Sequence, residues 1–349
     1  MLNGSTQGPE RPKGEGRGPA RGDDVSAVAG TPQTLVEELR AVCRRLLAEG
    51  EVGAVVGYGR VRPGAPACAV FLTHPDECGQ LVWDEGCFAN LCAYLKKKEV
   101  RGAGKIALVV KGCDARSLVV LEKESQIDRG QIVAVGVACG GVGEPRLPKC
   151  AACDVNLPQG VDIVVGECGD NRSVPLLGTS SAVSGAETLL LRSSGIRSNL
   201  GLAGEAAGNG HSRYTDLEAF LARSPEERMA FWREELSRCV KCYACRQVCP
   251  MCYCERCIVD KNRPQVIDTS PSPKGNFAWH ITRAFHLAGR CVGCDECTRA
   301  CPVGIDLRLL NLSLAQAAEK SFGYRAGADP AAEPVIGGYS TGDREEFIR

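Results

Sequence analysis

No stretch of this 349-residue sequence approaches the roughly 18 consecutive apolar residues that suggest a membrane span. Net charge is missing too, with 42 basic residues against 42 acidic ones. Only Lys96, Lys97 and Lys98 form a basic run, so there is no clustered face of the kind nucleic-acid phosphates require. Three adjacent lysines read as a solvated helix end. Histidines number four. His280 and His286, six residues apart, do not share a helix face as metal ligands would, and read as packing or hydrogen-bonding residues, while His74 and His211 carry no signal. A clean G-x-G-x-x-G fingerprint is also lacking: Gly57-Tyr58-Gly59 is too short, and Gly140-Gly141-Val142-Gly143 runs into Pro145 and Pro148 instead of a helix. Residues 1–33, rich in Gly, Pro, Arg and Ser, do not resemble a secretory leader and are expected to form a disordered tail, which points to a reducing cytoplasm.

Cysteine is what the sequence has in excess, 21 in all. A chain of this length buries a full core without disulfides, so the thiols need another explanation. The strongest pattern is Cys239, Cys242, Cys245, Cys249, Pro250, repeated as Cys291, Cys294, Cys297, Cys301, Pro302. Both runs fit C-x2-C-x2-C-x3-C-P, the spacing of two-cluster ferredoxins. Three closely spaced thiolates wrap one 4Fe-4S cubane, and the fourth begins a helix leading to the neighbouring cluster. Ligation is therefore expected to cross over. One cluster takes Cys239, Cys242, Cys245 and Cys301; the other takes Cys291, Cys294, Cys297 and Cys249. Structural zinc is the competing reading, but it leaves the third and fourth cysteines of each run unexplained. Cys252, Cys254 and Cys257 follow the first run and read as packing residues, with a further metal or substitution for a cluster cysteine left open.

The fold class expected is an α/β N-terminal domain with parallel βαβ units, followed by a mainly α-helical two-cluster ferredoxin domain. Residues 35–49 have apolar positions at helical spacing; 52–58 and 67–72 are apolar runs of strand length. Strand 106–110, helix 114–124 and strand 132–137 form the clearest βαβ unit, preceded by a helix over 88–97 and followed by a strand over 161–165. The expected division is a tail to 33, the α/β domain over 34–168, a linker over 169–214, the helical domain over 215–322 and a tail over 323–349. Thr215 is expected to cap one helix, and Ser224-Pro225-Glu226-Glu227 opens another with a capping box. Roughly 40 residues separate the two cysteine runs, room for helices in place of the short strands of compact ferredoxins.

A second constellation lies in the α/β part. Lys111-Gly112-Cys113-Asp114-Ala115-Arg116 leaves one strand for a helix, and Ala138-Cys139-Gly140-Gly141 leaves the next. Ends of adjacent parallel strands share a rim, where ligands bind. Cys113 and Cys139 can converge there, and Cys150 and Cys153 can fold back to complete four ligands for a third 4Fe-4S cluster. Zinc on Cys150 and Cys153, or free thiols, is the equal alternative. Cys43, Cys68, Cys78, Cys87, Cys92 and Cys168 have no ligand spacing and are expected to be structural.

Lys111 to Leu118, Gly136-Val137-Ala138-Cys139 and Lys149-Cys150-Ala151-Ala152-Cys153 together resemble the beta subunits of coenzyme F-420 hydrogenases and dehydrogenases, including formate dehydrogenase beta-like proteins. Residues 239–305 look like the dicluster domain attached to many of them. The resemblance implies an electron-transfer subunit of a cytoplasmic, anaerobic oxidoreductase complex of hydrogenase, formate dehydrogenase or heterodisulfide-reductase type, with other redox subunits as partners. It also implies FAD, for which Lys111, Gly112, Asp114 and Arg116 are the candidate contacts; Lys111 or Arg116 would pair with its pyrophosphate, or else form an ion pair or contact a cluster-bearing loop. No catalytic residue is assigned. Two functions stay open: a relay that only passes electrons, and a flavin-dependent reductase that itself oxidises a hydride carrier such as the deazaflavin coenzyme or NAD(P)H.

Overall fold

The computed structural model describes residues 35–151, 153–166, 214–261 and 263–337. The expected N-terminal tail, linker residues 169–213, Cys168 and His211 lie outside the described residues. Helix α1, Leu35–Ala48, buries Leu39, Val42, Cys43, Leu46 and Leu47, the stripe its sequence spacing implies. Strands β1 (Ala54–Gly59), β2 (Cys68–Leu72), β3 (Ile106–Val110), β4 (Ile132–Val137) and β5 (Ile163–Val165) form one sheet in the order β2-β1-β3-β4-β5. β1 pairs with β2 antiparallel, and every other pairing is parallel, so the sheet is mixed. Every residue of β3 and β4 is buried, as expected of central parallel strands covered on both faces. Helix α2, Gly112–Lys123, makes the crossover between them.

Residues 88–97 do not form the expected helix. Asn90 accepts a hydrogen bond from the Cys92 N–H at 3.1 Å and donates to Ser117 Oγ at 2.9 Å, which starts a 3-10 turn over Leu91–Tyr94. An asparagine side chain that satisfies a neighbouring amide competes with helix, and here it wins. A separate helical turn follows at Lys98–Arg101.

Residues after 213 form helices α3 (Thr215–Leu221), α4 (Pro225–Ser237), α5 (Pro273–His286) and α6 (Leu307–Phe322), with no extended strand among the described residues. Tyr214, not Thr215, is the cap residue of α3. α4 has the expected capping box: Glu227 N–H donates to Ser224 Oγ at 3.2 Å, and Ser224 N–H donates to Glu227 Oε2 at 2.7 Å. α3, α4 and α6 share a core of Leu217, Phe220, Trp232, Leu236, Ile305, Leu307 and Leu310, into which Cys245 and Cys297 are packed.

The two halves share apolar contacts. Met251, Leu287, Val292, Cys294, Tyr324 and Ala326 belong to the core built around the sheet. The stretch after residue 322, expected as a tail, lies against α2 as far as it is described. Lys123 Nζ donates to the carbonyls of Asp329 and Ala332, and Arg116 Nη2 donates to Ala326 O at 2.6 Å. Gly327 takes φ +67°, and a Cβ there would collide with the Arg116 carbonyl. No helix among the described residues is long and apolar enough to cross a membrane.

Candidate metal centres

The two cysteine runs adopt one backbone shape. Lys241 and Tyr243 in the first run, and Gly293 and Asp295 in the second, hold positive φ at matching positions. Short helical turns, Ala244–Gln247 and Glu296–Arg299, then carry the third cysteine of each run. A left-handed residue other than glycine costs roughly 1–2 kcal/mol. Lys241 is held there by its ammonium, which donates to Asp268 O at 2.6 Å and Gly275 O at 3.0 Å. This turn aims the Lys241 N–H at Cys239 Sγ, 3.4 Å away, and the Gly293 N–H makes the same bond to Cys291.

Around the first run, Cys239, Cys242 and Cys245 line a small hollow together with Cys301, which comes from the other run. Around the second, Cys249 is an electrostatic neighbour of Cys291, Cys294 and Cys297. Each trio of thiols therefore meets the fourth cysteine of the opposite run. Burial pushes the thiols up, Cys245 to about 11 and Cys297 to about 12. Cys249 departs downward, because the Cys252 thiol donates a hydrogen bond to it and Arg283 lies beside it.

Polar groups surround these thiols. His280 Nε2 lies 3.3 Å from Cys239 Sγ, Asn311 Nδ2 donates to Cys297 Sγ at 3.4 Å, and Ile305 N–H donates to Cys301 Sγ at 3.4 Å. Burial, with Arg283 and Lys241 nearby, lowers His280 to about 3, so its ring is neutral. His280 Nδ1 and Arg283 Nε are buried without a partner. Among the described residues, no three His, Cys, Asp or Glu side chains converge on the point one bare ion would need. Thiols ringing a hollow, with the unpartnered Arg283 Nε–H near thiols of both runs, fit a group that has a body of its own and surface acceptors, as a 4Fe-4S cluster has. The ligands would be thiolates, whose negative charge the buried cation beside them suits.

The third constellation closes on the sheet's rim. β3 and β4 are adjacent and parallel, so Cys113 at the start of α2 and Cys139 just after β4 come to the same edge. Cys150, in the turn Pro148–Ala151, and Cys153 join them around a cavity of about 110 Å³ that Cys291 also lines. Gly141 N–H bonds to Cys139 and Val155 N–H to Cys153, repeating the amide-to-sulfur geometry of the two runs, while Val142 N–H donates to Cys150 Sγ at 3.5 Å. Burial pushes Cys139 up to about 11. Lys149 bridges this rim to the second run: its buried ammonium donates to Cys294 O at 2.9 Å and Phe88 O at 3.2 Å.

Of the four candidate flavin contacts, Lys111, Gly112 and Arg116 line this cavity, and all four also have close partners within the protein. Lys111 is 1% exposed and spends its three N–H donors on Tyr58 Oη, Ala89 O at 2.8 Å and Asp114 Oδ2 at 2.8 Å. Asp114 is the buried acid of that pair and also accepts from the Lys111 N–H at 3.2 Å. Gly112 sits against the Val155 carbonyl, with which any Cβ would collide. Arg116 donates to Ala326 O and Val292 O. Of the readings open for this turn, the ion pair describes Lys111 and the contact with a cluster-bearing loop describes Arg116.

No family model matches the chain. Among curated proteins, it is similar to the F420-dependent formate dehydrogenase 1 subunit beta of Methanococcus maripaludis, 24% identical over 361 aligned positions that cover 85% of this chain and 92% of that protein. It is similar also to the F420-dependent formate dehydrogenase subunit beta of Methanocaldococcus jannaschii, 21% identical over 360 positions covering 85% and 93%. The chain is similar to these two formate dehydrogenase beta subunits over most of its length. That likeness supports the resemblance to beta subunits of this kind and suggests a redox subunit of an oxidoreductase.

Arg283 and Asn311 escaped the sequence reading, and Lys149 was read only as part of the Cys150–Cys153 segment. Arg283 had one visible signal, its place on the same face of α5 as Trp279 and His280, which are both buried. Tyr58 looked like one more apolar position in a strand, yet a buried phenol needs a hydrogen-bond partner, and Lys111 is that partner.

Proposed function

We propose that this chain is the electron-transfer subunit of an oxidoreductase complex, built to hold three 4Fe-4S clusters in series. Cys239, Cys242, Cys245 and Cys301 hold one; Cys291, Cys294, Cys297 and Cys249 hold the next; Cys113, Cys139, Cys150 and Cys153 hold the third. The observation that carries the reading is the meeting of each trio with the fourth cysteine of the other run. Cys291, which lines the rim cavity as well, supports a continuous order from rim to second run to first run. When bound, such clusters take up and give up single electrons at potentials set by their surroundings.

The chain's own residues define those surroundings. Amide N–H groups of Lys241, Gly293 and Ile305 and the Asn311 side chain donate to ligand sulfurs, which favours the more electron-rich state. The buried walls keep water from the second site, while Cys242 and Val240 bring the first to the surface, where a partner subunit can approach. Other redox subunits are the partners we propose, since both relatives are named as subunits of formate dehydrogenases. A flavin reductase acting on the deazaflavin coenzyme or NAD(P)H is less favoured, because the expected phosphate contacts are committed within the protein.

Anaerobic purification followed by iron, acid-labile sulfide, zinc and flavin analysis of one sample tests this. About twelve irons per chain without flavin is expected, and about eight would remove the rim cluster from the reading. Zinc in place of iron would overturn it, and stoichiometric flavin would favour the reductase.

A further inference from the structure

Arg283 is a buried positive charge whose strongest partners among the described groups are cysteine sulfurs. It is 4% exposed on α5, one turn beyond His280. The groups that act on it most strongly are the sulfurs of Cys249, Cys252, Cys297 and Cys245, and it hydrogen-bonds the Cys252 side chain. One arm of its fork donates to Cys245 O at 3.0 Å, and its Nε is buried without a partner. Guanidinium does not give up its proton in a protein, so burial cannot neutralise it as it can a lysine. A buried, unpaired cation is strongly unfavourable unless negative charge lies beside it.

Cys245 belongs to the first-run set, and Cys249 and Cys297 to the second. Other cations near these sites are committed to carbonyls: Lys241 to those of Asp268 and Gly275, Lys96 to those of Cys249 and Cys252, and Lys149 to those of Phe88 and Cys294. We propose that Arg283 is a counter-ion shared by both dicluster sites, holding the two midpoint potentials up together. This rests on the two-cluster reading. The physical reason is direct: a fixed positive charge in a dry interior favours each site's more negative, reduced state, and its effect is poorly screened there. Because Arg283 faces both sets, removing it should move both potentials and not one.

The test is an anaerobic redox titration of the whole chain followed by electron paramagnetic resonance, with iron and sulfide measured on the same samples, for wild type, Arg283→Met and Arg283→Lys. The expected result is unchanged iron content, both dicluster potentials shifted negative in Arg283→Met, and recovery of most of that shift in Arg283→Lys. Unmoved potentials, movement of one only, or a lysine variant as displaced as the methionine variant would each overturn the proposal. Should Arg283→Met fail to accumulate, Arg283→Gln decides by the same criterion. Iron lost from both neutral variants but kept with lysine supports the shared charge, and iron lost from all three overturns it. A wild type without clusters would instead overturn the reading on which the inference rests.

Discussion

The cysteines of the C-terminal half and those of the sheet rim reach the same kind of arrangement by opposite routes. In each run, three thiols fall within seven residues, and two left-handed turns are enough to gather them. At the rim, Cys113 and Cys139 are 26 positions apart and meet only because β3 and β4 are parallel neighbours. Local spacing makes the first kind of site; topology makes the second. The rim should therefore fail whenever the sheet edge is disturbed, whereas the runs should fail only through their own thiols or a partner run.

Substitutions at the crossed cysteines should have the largest effect. Cys301→Ser is expected to deplete the first-run cluster and Cys249→Ser the second, each with loss of about four irons. Resonance signals that vanish in the reverse pairing would reject the crossing. Next comes the rim itself: Cys139→Ser should remove about four irons while leaving both dicluster signals in place. Iron content equal to wild type would mean the quartet holds no cluster.

The scaffold beneath the rim gives a third comparison. Lys111→Met leaves Asp114 buried without its cation and should destabilise the fold by about 3–5 kcal/mol, read from urea unfolding under anaerobic conditions. A change below 0.5 kcal/mol would show that the pair contributes little, and would reopen Lys111 as a ligand contact. The smallest effect is expected at the second run. Asn311→Leu removes one donor to Cys297 Sγ, and a modest negative shift confined to that cluster's potential is the outcome sought by redox titration. An equal shift at both clusters would mean that the substitution acts through packing of α6 and not through that bond.

Much of the layout was legible because it depends on short-range pattern. The all-apolar strands 106–110 and 132–137, the helix between them, and the capping box at Ser224 each arise from a few neighbouring residues. The antiparallel β1–β2 pair and the 3-10 turn at Leu91–Tyr94 were not legible, since both depend on distant partners; Asn90, for example, needs Ser117. The protein partners of Lys111 and Arg116 were not legible for the same reason: Tyr58, Ala89 and Ala326, which accept their hydrogens, are distant in sequence.

What the sequence determined by itself is the chemistry offered: soft thiol donors in two complete ferredoxin-type runs and a third, dispersed quartet. Spacing already suggested how those donors combine, but the tertiary structure decided which of them come together and what surrounds them. It brought Cys301 to the first run, Cys249 to the second and Cys153 to the rim, and it lodged Arg283 among thiols of both runs. The physical reason is that spacing along a chain limits which neighbours can share a loop, whereas long-range convergence and the burial of a charge depend on how the helices and sheet pack.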